Sequence, residues 1–140
     1  MSVEDYSRHT PAGNTDIVEN PVECQNADVS STHSATLRFK KLSCLGNAKI
    51  SVDHSATLVI SHLVCASAEI NLSYASKLVI DNFECTGTVK IYDGYSSTLQ
   101  IDAGSIDKVT GKVEYSSTGI CYAKIKRDEV SVEWASTWKT

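Results

Sequence analysis

Apolar residues recur at every second position through most of this chain. One stretch runs Ile50, Val52, His54, Ala56, Leu58, Ile60, then Leu63 and Cys65; the next answers with Ile70, Leu72, Tyr74, Ser76, Leu78, Ile80, then Phe83 and Cys85. Alternation at 180° per residue, carried by Val, Ile, Leu and Thr, predicts strands and contradicts an amphipathic helix of 3.6-residue period. Within one unit it divides into three short strands, near 48–53, 56–61 and 62–66. The corners fall at His54-Ser55, Ser61-His62 and Ala66-Ser67.

The stretches are copies of one another. His33-Ser34-Ala35-Thr36-Leu37, His54-Ser55-Ala56-Thr57-Leu58, Tyr74-Ala75-Ser76-Lys77-Leu78, Tyr95-Ser96-Ser97-Thr98-Leu99, Tyr115-Ser116-Ser117-Thr118-Gly119 and Trp134-Ala135-Ser136-Thr137-Trp138 start 21, 20, 21, 20 and 19 residues apart. Six copies in 140 residues leave little chain outside the array, so the repeat is the fold. A leucine-rich repeat needs a Leu-x-x-Leu-x-Leu frame that is absent, and a propeller blade needs about twice this length. The prediction is all-β: a single-stranded parallel β-helix, three-sided and right-handed, of about six coils of roughly 20 residues each. Residues 1–21 hold no completed copy and read as an N-terminal arm or cap, with a turn at Pro11-Ala12-Gly13-Asn14; residues 22–140 are the repeat domain.

Stacked coils turn equal places in the period into columns. Val22, Leu42, Leu63 and Phe83 form one column, continued by Gly104; Leu37, Leu58, Leu78 and Leu99 form another; Phe39, Ile60, Ile80 and Ile101 a third. Val52, Leu72 and Val132 stack before the corner, in a column that Ser31 and Asp93 interrupt. Cys24, Cys44, Cys65 and Cys85 are spaced by 20, 21 and 20 residues and continued by Ile106. That interval belongs to a coil and not to a metal loop, so these thiols read as a structural ladder of small buried hydrophobes. Gly104, Gly111 and Gly119 depart from the columns and predict a bulge or narrowing in the fifth unit. Trp134 and Trp138 are placed to close the C-terminal end or to make an oligomer contact.

Two columns carry candidate binding chemistry. The corner series His33, His54, Tyr74, Tyr95, Tyr115 and Trp134 is aromatic or imidazole throughout. Alternation leaves open whether these rings cover the edge of the core or form an exposed strip for a protein or a sugar. The hydroxyl series Thr36, Thr57, Thr98, Thr118 and Thr137, broken by Lys77, is a candidate array for ice or another ordered surface.

Charge and chemistry narrow the functional classes. A net charge of −4 supplies no general field for nucleic acid or anionic lipid, and Lys124, Lys126 and Arg127 are followed at once by Asp128 and Glu129. The start of the chain lacks a secretory pattern and no apolar window is long enough to span a bilayer, which sets the expectation of a cytoplasmic protein. A removed leader would instead imply an extracellular or cell-surface setting. No phosphate loop, Ser-His-Asp set or zinc-protease sequence emerges, and no cofactor or metal site is expected. Asp53 and His54 are adjacent, but alternation turns them in opposite directions unless the corner intervenes. Asp53, Asp81, Asp93 and Asp102 are the visible carboxylates for an outer face, and no catalytic pair can be named among them.

The hydroxyl-rich corner and following aliphatics in Val52-Asp53-His54-Ser55-Ala56-Thr57-Leu58-Val59-Ile60 and Leu72-Ser73-Tyr74-Ala75-Ser76-Lys77-Leu78-Val79-Ile80 resemble the short coils of the GIN domain family, the domain of proteins described as autotransporter-adhesin heads. The resemblance covers about residues 22–138 and implies a β-helical fold and an adhesin-like role in exported bacterial proteins. Where many members carry Ser-Gly at the corner, this chain has His-Ser, Tyr-Ala, Tyr-Ser or Trp-Ala. The resulting expectation is a non-enzymatic structural or protein-interaction module that self-associates, with a glycan-binding adhesin-like module and ordered-surface binding as alternatives.

Overall fold

Every strand pairing in the computed structural model, which describes residues 4–140, is parallel, and each strand lies beside its counterpart one period away. The chain is a β-solenoid of about seven turns, each turn about 20 residues from the next. One side of the solenoid stacks Tyr6–Thr10, Ala27–Ser31, Asn47–Val52 and Ser67–Leu72, then the later parts of Lys77–Asp93, Thr98–Val113 and Lys124–Val132. After the ring-bearing corner, a second side stacks Thr15–Val18, Thr36–Phe39, the start of Thr57–Cys65 and the corresponding segments up to Thr137–Lys139. The third and shortest side begins at Val22–Cys24 and Leu42–Cys44. In the third coil the second and third sides are one bent strand, Thr57–Cys65, where two separate strands are expected; in the next two coils the strand, Lys77–Asp93 and then Thr98–Val113, runs on into the following first side, and after Thr118–Cys121 the second and third sides separate again.

The columns meet in register. Leu37, Leu58, Leu78 and Leu99 are successive partners, as are Phe39, Ile60, Ile80 and Ile101, and all eight are buried. Alternation places these side chains inside, and removing them from water at roughly 25 cal/mol per Å² is the main cohesive term. Cys24 partners Cys44, Cys65 partners Cys85, and Cys85 partners Ile106; all five cysteines are free and buried. The fifth, Cys121, continues the Phe39–Ile101 column instead. Burial pushes the Cys44 thiol up to about 12 and the Cys121 thiol up to about 11, so both stay protonated at neutral pH.

The irregular fifth unit has its physical cause on view. Between Cys85 and Thr88 the register slips, so that Thr86 and Gly87 face one residue of the neighbouring coil. Gly104 and Gly111, at φ 125° and 126°, bring their Cα atoms against the backbone of Phe83 and Ile91, where any Cβ would collide with a carbonyl oxygen.

The segment expected as an arm or cap over residues 1–21 takes the form of a coil. From Tyr6 on, the described residues form a further coil, paired residue for residue with the next, and the Pro11–Asn14 turn is its corner. Tyr6, Val18 and Val22 pack on the core from this coil, but two of its inward places are charged. Arg8 stands over Val29 and Asp16 over Leu37, and the two join across the end of the core by paired hydrogen bonds of 2.6 and 2.7 Å. At the other end Trp138 lies over Gly119, where a Cβ would meet its ring at 2.5 Å, and its indole N–H donates to Asp128 at 2.9 Å. Each end of the apolar core is thus closed by a pair reaching between two inward columns.

Candidate functional site

The corner that precedes the second side repeats one backbone device six times. In His33-Ser34, His54-Ser55, Tyr74-Ala75, Tyr95-Ser96, Tyr115-Ser116 and Trp134-Ala135 both residues have positive φ, between 50° and 64°. Two successive left-handed residues make the turn usually given to Asn-Gly, and none of these twelve is glycine. The left-handed conformation costs roughly 1–2 kcal/mol for a residue with a Cβ. Bonds between coils offset it: Ser34 N–H donates to the His54 carbonyl at 3.0 Å, Ser55 to Tyr74 at 2.9 Å, Ala75 to Tyr95 at 2.9 Å and Ser116 to Trp134 at 2.8 Å.

Below the corner the small residues have a second task. Ala35 and Ala56 are buried, and in the later coils their places pass to Ser76, Ser97, Ser117 and Ser136. The amide of Ser76 donates to the Ser97 hydroxyl at 3.2 Å, Ser97 to Ser117 at 3.2 Å and Ser117 to Ser136 at 3.0 Å, so serine hydroxyls, buried in all but the last coil, stitch successive corners together.

The first corner residue is turned out of the core. Tyr74 is 51% exposed, Tyr95 41%, Tyr115 39% and Trp134 64%, which decides for an outer strip over a core-edge cover. The rings stack along the axis. His33 and His54 have centroids 4.5 Å apart, His54 and Tyr74 4.9 Å, Tyr74 and Tyr95 4.9 Å, Tyr95 and Tyr115 4.7 Å, and Tyr115 and Trp134 5.9 Å, with planes within 24° of parallel throughout. Each inner ring therefore spends both faces on its neighbours and offers its edge outward. Sugar stacking needs a ring face, which only the two ends of the ladder leave uncovered.

Beside the strip runs the hydroxyl column. Thr36, Thr57, Lys77, Thr98, Thr118 and Thr137 are successive partners, and Thr15 of the first coil extends the series. The next outward column on this side reads Ile17, Arg38, Val59, Val79, Gln100, Ile120 and Lys139. A flat array for an ordered lattice would keep one short side chain throughout, and here Arg38, Lys77 and Lys139 rise from the surface.

The side before the corner carries opposite charges in alternation: Asp28, Lys49, Glu69 and Lys90 are successive partners. Arg127 of the small basic cluster pairs with Asp107 at 3.1 Å. The four carboxylates taken for the outer face do not gather. Asp81 and Asp102 are exposed and Asp53 is half-buried at the corner, but Asp93 points inward between Leu72 and Val113, fully buried, and neither carboxylate oxygen has a hydrogen-bond partner. Desolvation raises its pKa to about 8.

The strained corner also reverses the expectation for Asp53 and His54. With His54 at φ 52°, its ring swings back so that Nδ1 lies 3.2 Å from Asp53 Oδ1. Burial works against the Asp53 carboxylate, but hydrogen bonds from Thr32 and His54 prevail and hold it below the usual carboxylate range. Sequence alternation missed this pairing; histidine at the same place in two consecutive coils was the available signal.

Comparison of the chain with family models, curated proteins and solved structures found no match.

Proposed function

We propose that the chain is a rigid, non-enzymatic interaction rod whose corner strip is engaged by a protein, a second copy of the chain included. The observation that carries this reading is the exposed ring stack, repeated on six coils and held out by left-handed backbone that side chains bearing a Cβ adopt only at a cost. Aromatic side chains are enriched at protein interfaces, where an apolar body and a polar tip serve together. An array with one ring per coil suits a partner that repeats at the same interval, such as another β-edge or another solenoid. The dispersal of the carboxylates, with Asp93 inside the core, favours recognition over catalysis.

The test compares the wild-type chain with a Tyr74→Ser/Tyr95→Ser variant by sedimentation across a wide concentration range and by pull-down. The expected outcome is a self-associated species, or a captured protein, that the variant loses while its circular dichroism is unchanged. A chain that stays monomeric, and captures nothing that the variant does not capture equally, overturns the proposal.

A further inference from the structure

The ring ladder changes character at its N-terminal end, where its first two members are imidazoles. His33, Asp53 and His54 each offer one ligand atom, and these atoms all lie within 4.8 Å of one another. The convergence has a structural origin. The parallel ladder puts the two histidines on adjacent coils with rings 4.5 Å apart and 3° from parallel, and the same corner draws in the preceding carboxylate. Both rings direct Nδ1 toward one group of oxygens. His33 Nδ1 is 2.9 Å from the Thr32 hydroxyl, Thr32 donates in turn to Asp53 Oδ1, and His54 Nδ1 reaches that same oxygen at 3.2 Å.

We infer that His33, Asp53 and His54 form a binding site for a borderline divalent transition-metal ion, of the zinc, nickel or cobalt type, at the head of the ladder. The donor chemistry selects the ion. Two imidazole nitrogens and one carboxylate oxygen suit zinc, nickel or cobalt, whereas magnesium and calcium demand shells of oxygen. Both histidines are exposed to solvent and the three ligand atoms already lie within 4.8 Å of one another, so small adjustments close them on an ion, with water completing the coordination. Thr32 takes the supporting place, its hydroxyl fixing the carboxylate that binds. Only this pair of coils has the set, since Tyr74, Tyr95, Tyr115 and Trp134 occupy the later corners. The inference is independent of what docks on the rest of the strip.

The experiment is calorimetric titration of the full, reduced, metal-free chain with nickel or zinc chloride, with magnesium and calcium chloride as controls. One ion per chain is expected, with no heat from the controls. His33→Tyr and His54→Tyr remove a ligand yet keep a ring that the later corners already accommodate, so the fold and the stack survive; each weakens binding at least tenfold, as does Asp53→Asn. His62→Gln, on another side of the solenoid, leaves binding unchanged. The cobalt complex shows an absorption spectrum without a thiolate charge-transfer band. Absence of one-to-one binding, binding that survives the His33→Tyr/His54→Tyr double change, or a thiolate band that places the ion on the cysteine column overturns the inference.

Discussion

The interior columns and the corner ladder share one period and one direction, yet they are held by different physics. Inside, Leu37, Leu58, Leu78 and Leu99 sit in ordinary strand backbone and gain from leaving water. At the corner, six rings stay in water on left-handed backbone and gain only from their neighbours along the axis. The difference teaches that a repeating column is not by itself a core. Repetition shows that a place in the coil is structurally fixed; burial shows what fixes it.

The largest expected effect contrasts two adjacent residues on opposite sides of one strand. Leu78→Asp puts a carboxylate into a fully buried apolar column and should cost more than about 4 kcal/mol, enough to prevent folding of a marginally stable domain. Val79→Asp, on the outer surface, should cost about 1 kcal/mol or less in urea unfolding. Equal losses at the two positions would erase the distinction between inside and outside.

Asp93 sharpens the comparison by placing a carboxylate in the interior already. Its folded pKa, raised to about 8 by desolvation, stands above the unfolded value of 3.8, so folding takes up a proton between those limits. Its contribution to stability is therefore greatest below about pH 4, falls by roughly 1.4 kcal/mol per pH unit as pH rises toward 8, and is flat above, a loss of roughly 6 kcal/mol at most. Asp93→Asn should flatten that slope and raise stability at pH 8, as measured by denaturant unfolding across the range. An unchanged slope would mean that the carboxylate is solvated in the native chain.

The smallest effect probes the corner backbone. Ala75 has φ 60°, so Ala75→Gly relieves a conformation that glycine adopts freely and should stabilise the chain by about 0.5–1 kcal/mol. A loss of stability of that size would show that the left-handed corner is not strained.

Much of this architecture was legible because it is periodic. The strand class, the coil length and the Leu, Ile and Cys columns follow from alternation and from the spacing of Leu58, Leu78 and Leu99. The first coil was hidden because Arg8 and Asp16 occupy two of its inward places; an end coil faces solvent, where a joined ion pair can close the core. The His33–Asp53–His54 cluster was hidden because a strand rule turns neighbouring residues apart and says nothing of a left-handed corner.

By itself, then, the sequence determined that the chain repeats, that its repeats are strands, and which residues share a column, because side-chain alternation and a constant interval are local properties. Only the tertiary structure decided which way the corner rings turn, that the inward Asp93 finds no hydrogen-bond partner, and that two histidines and an aspartate meet. Those outcomes depend on the sign of φ at non-glycine residues and on contacts between coils about 20 residues apart, which no local pattern encodes.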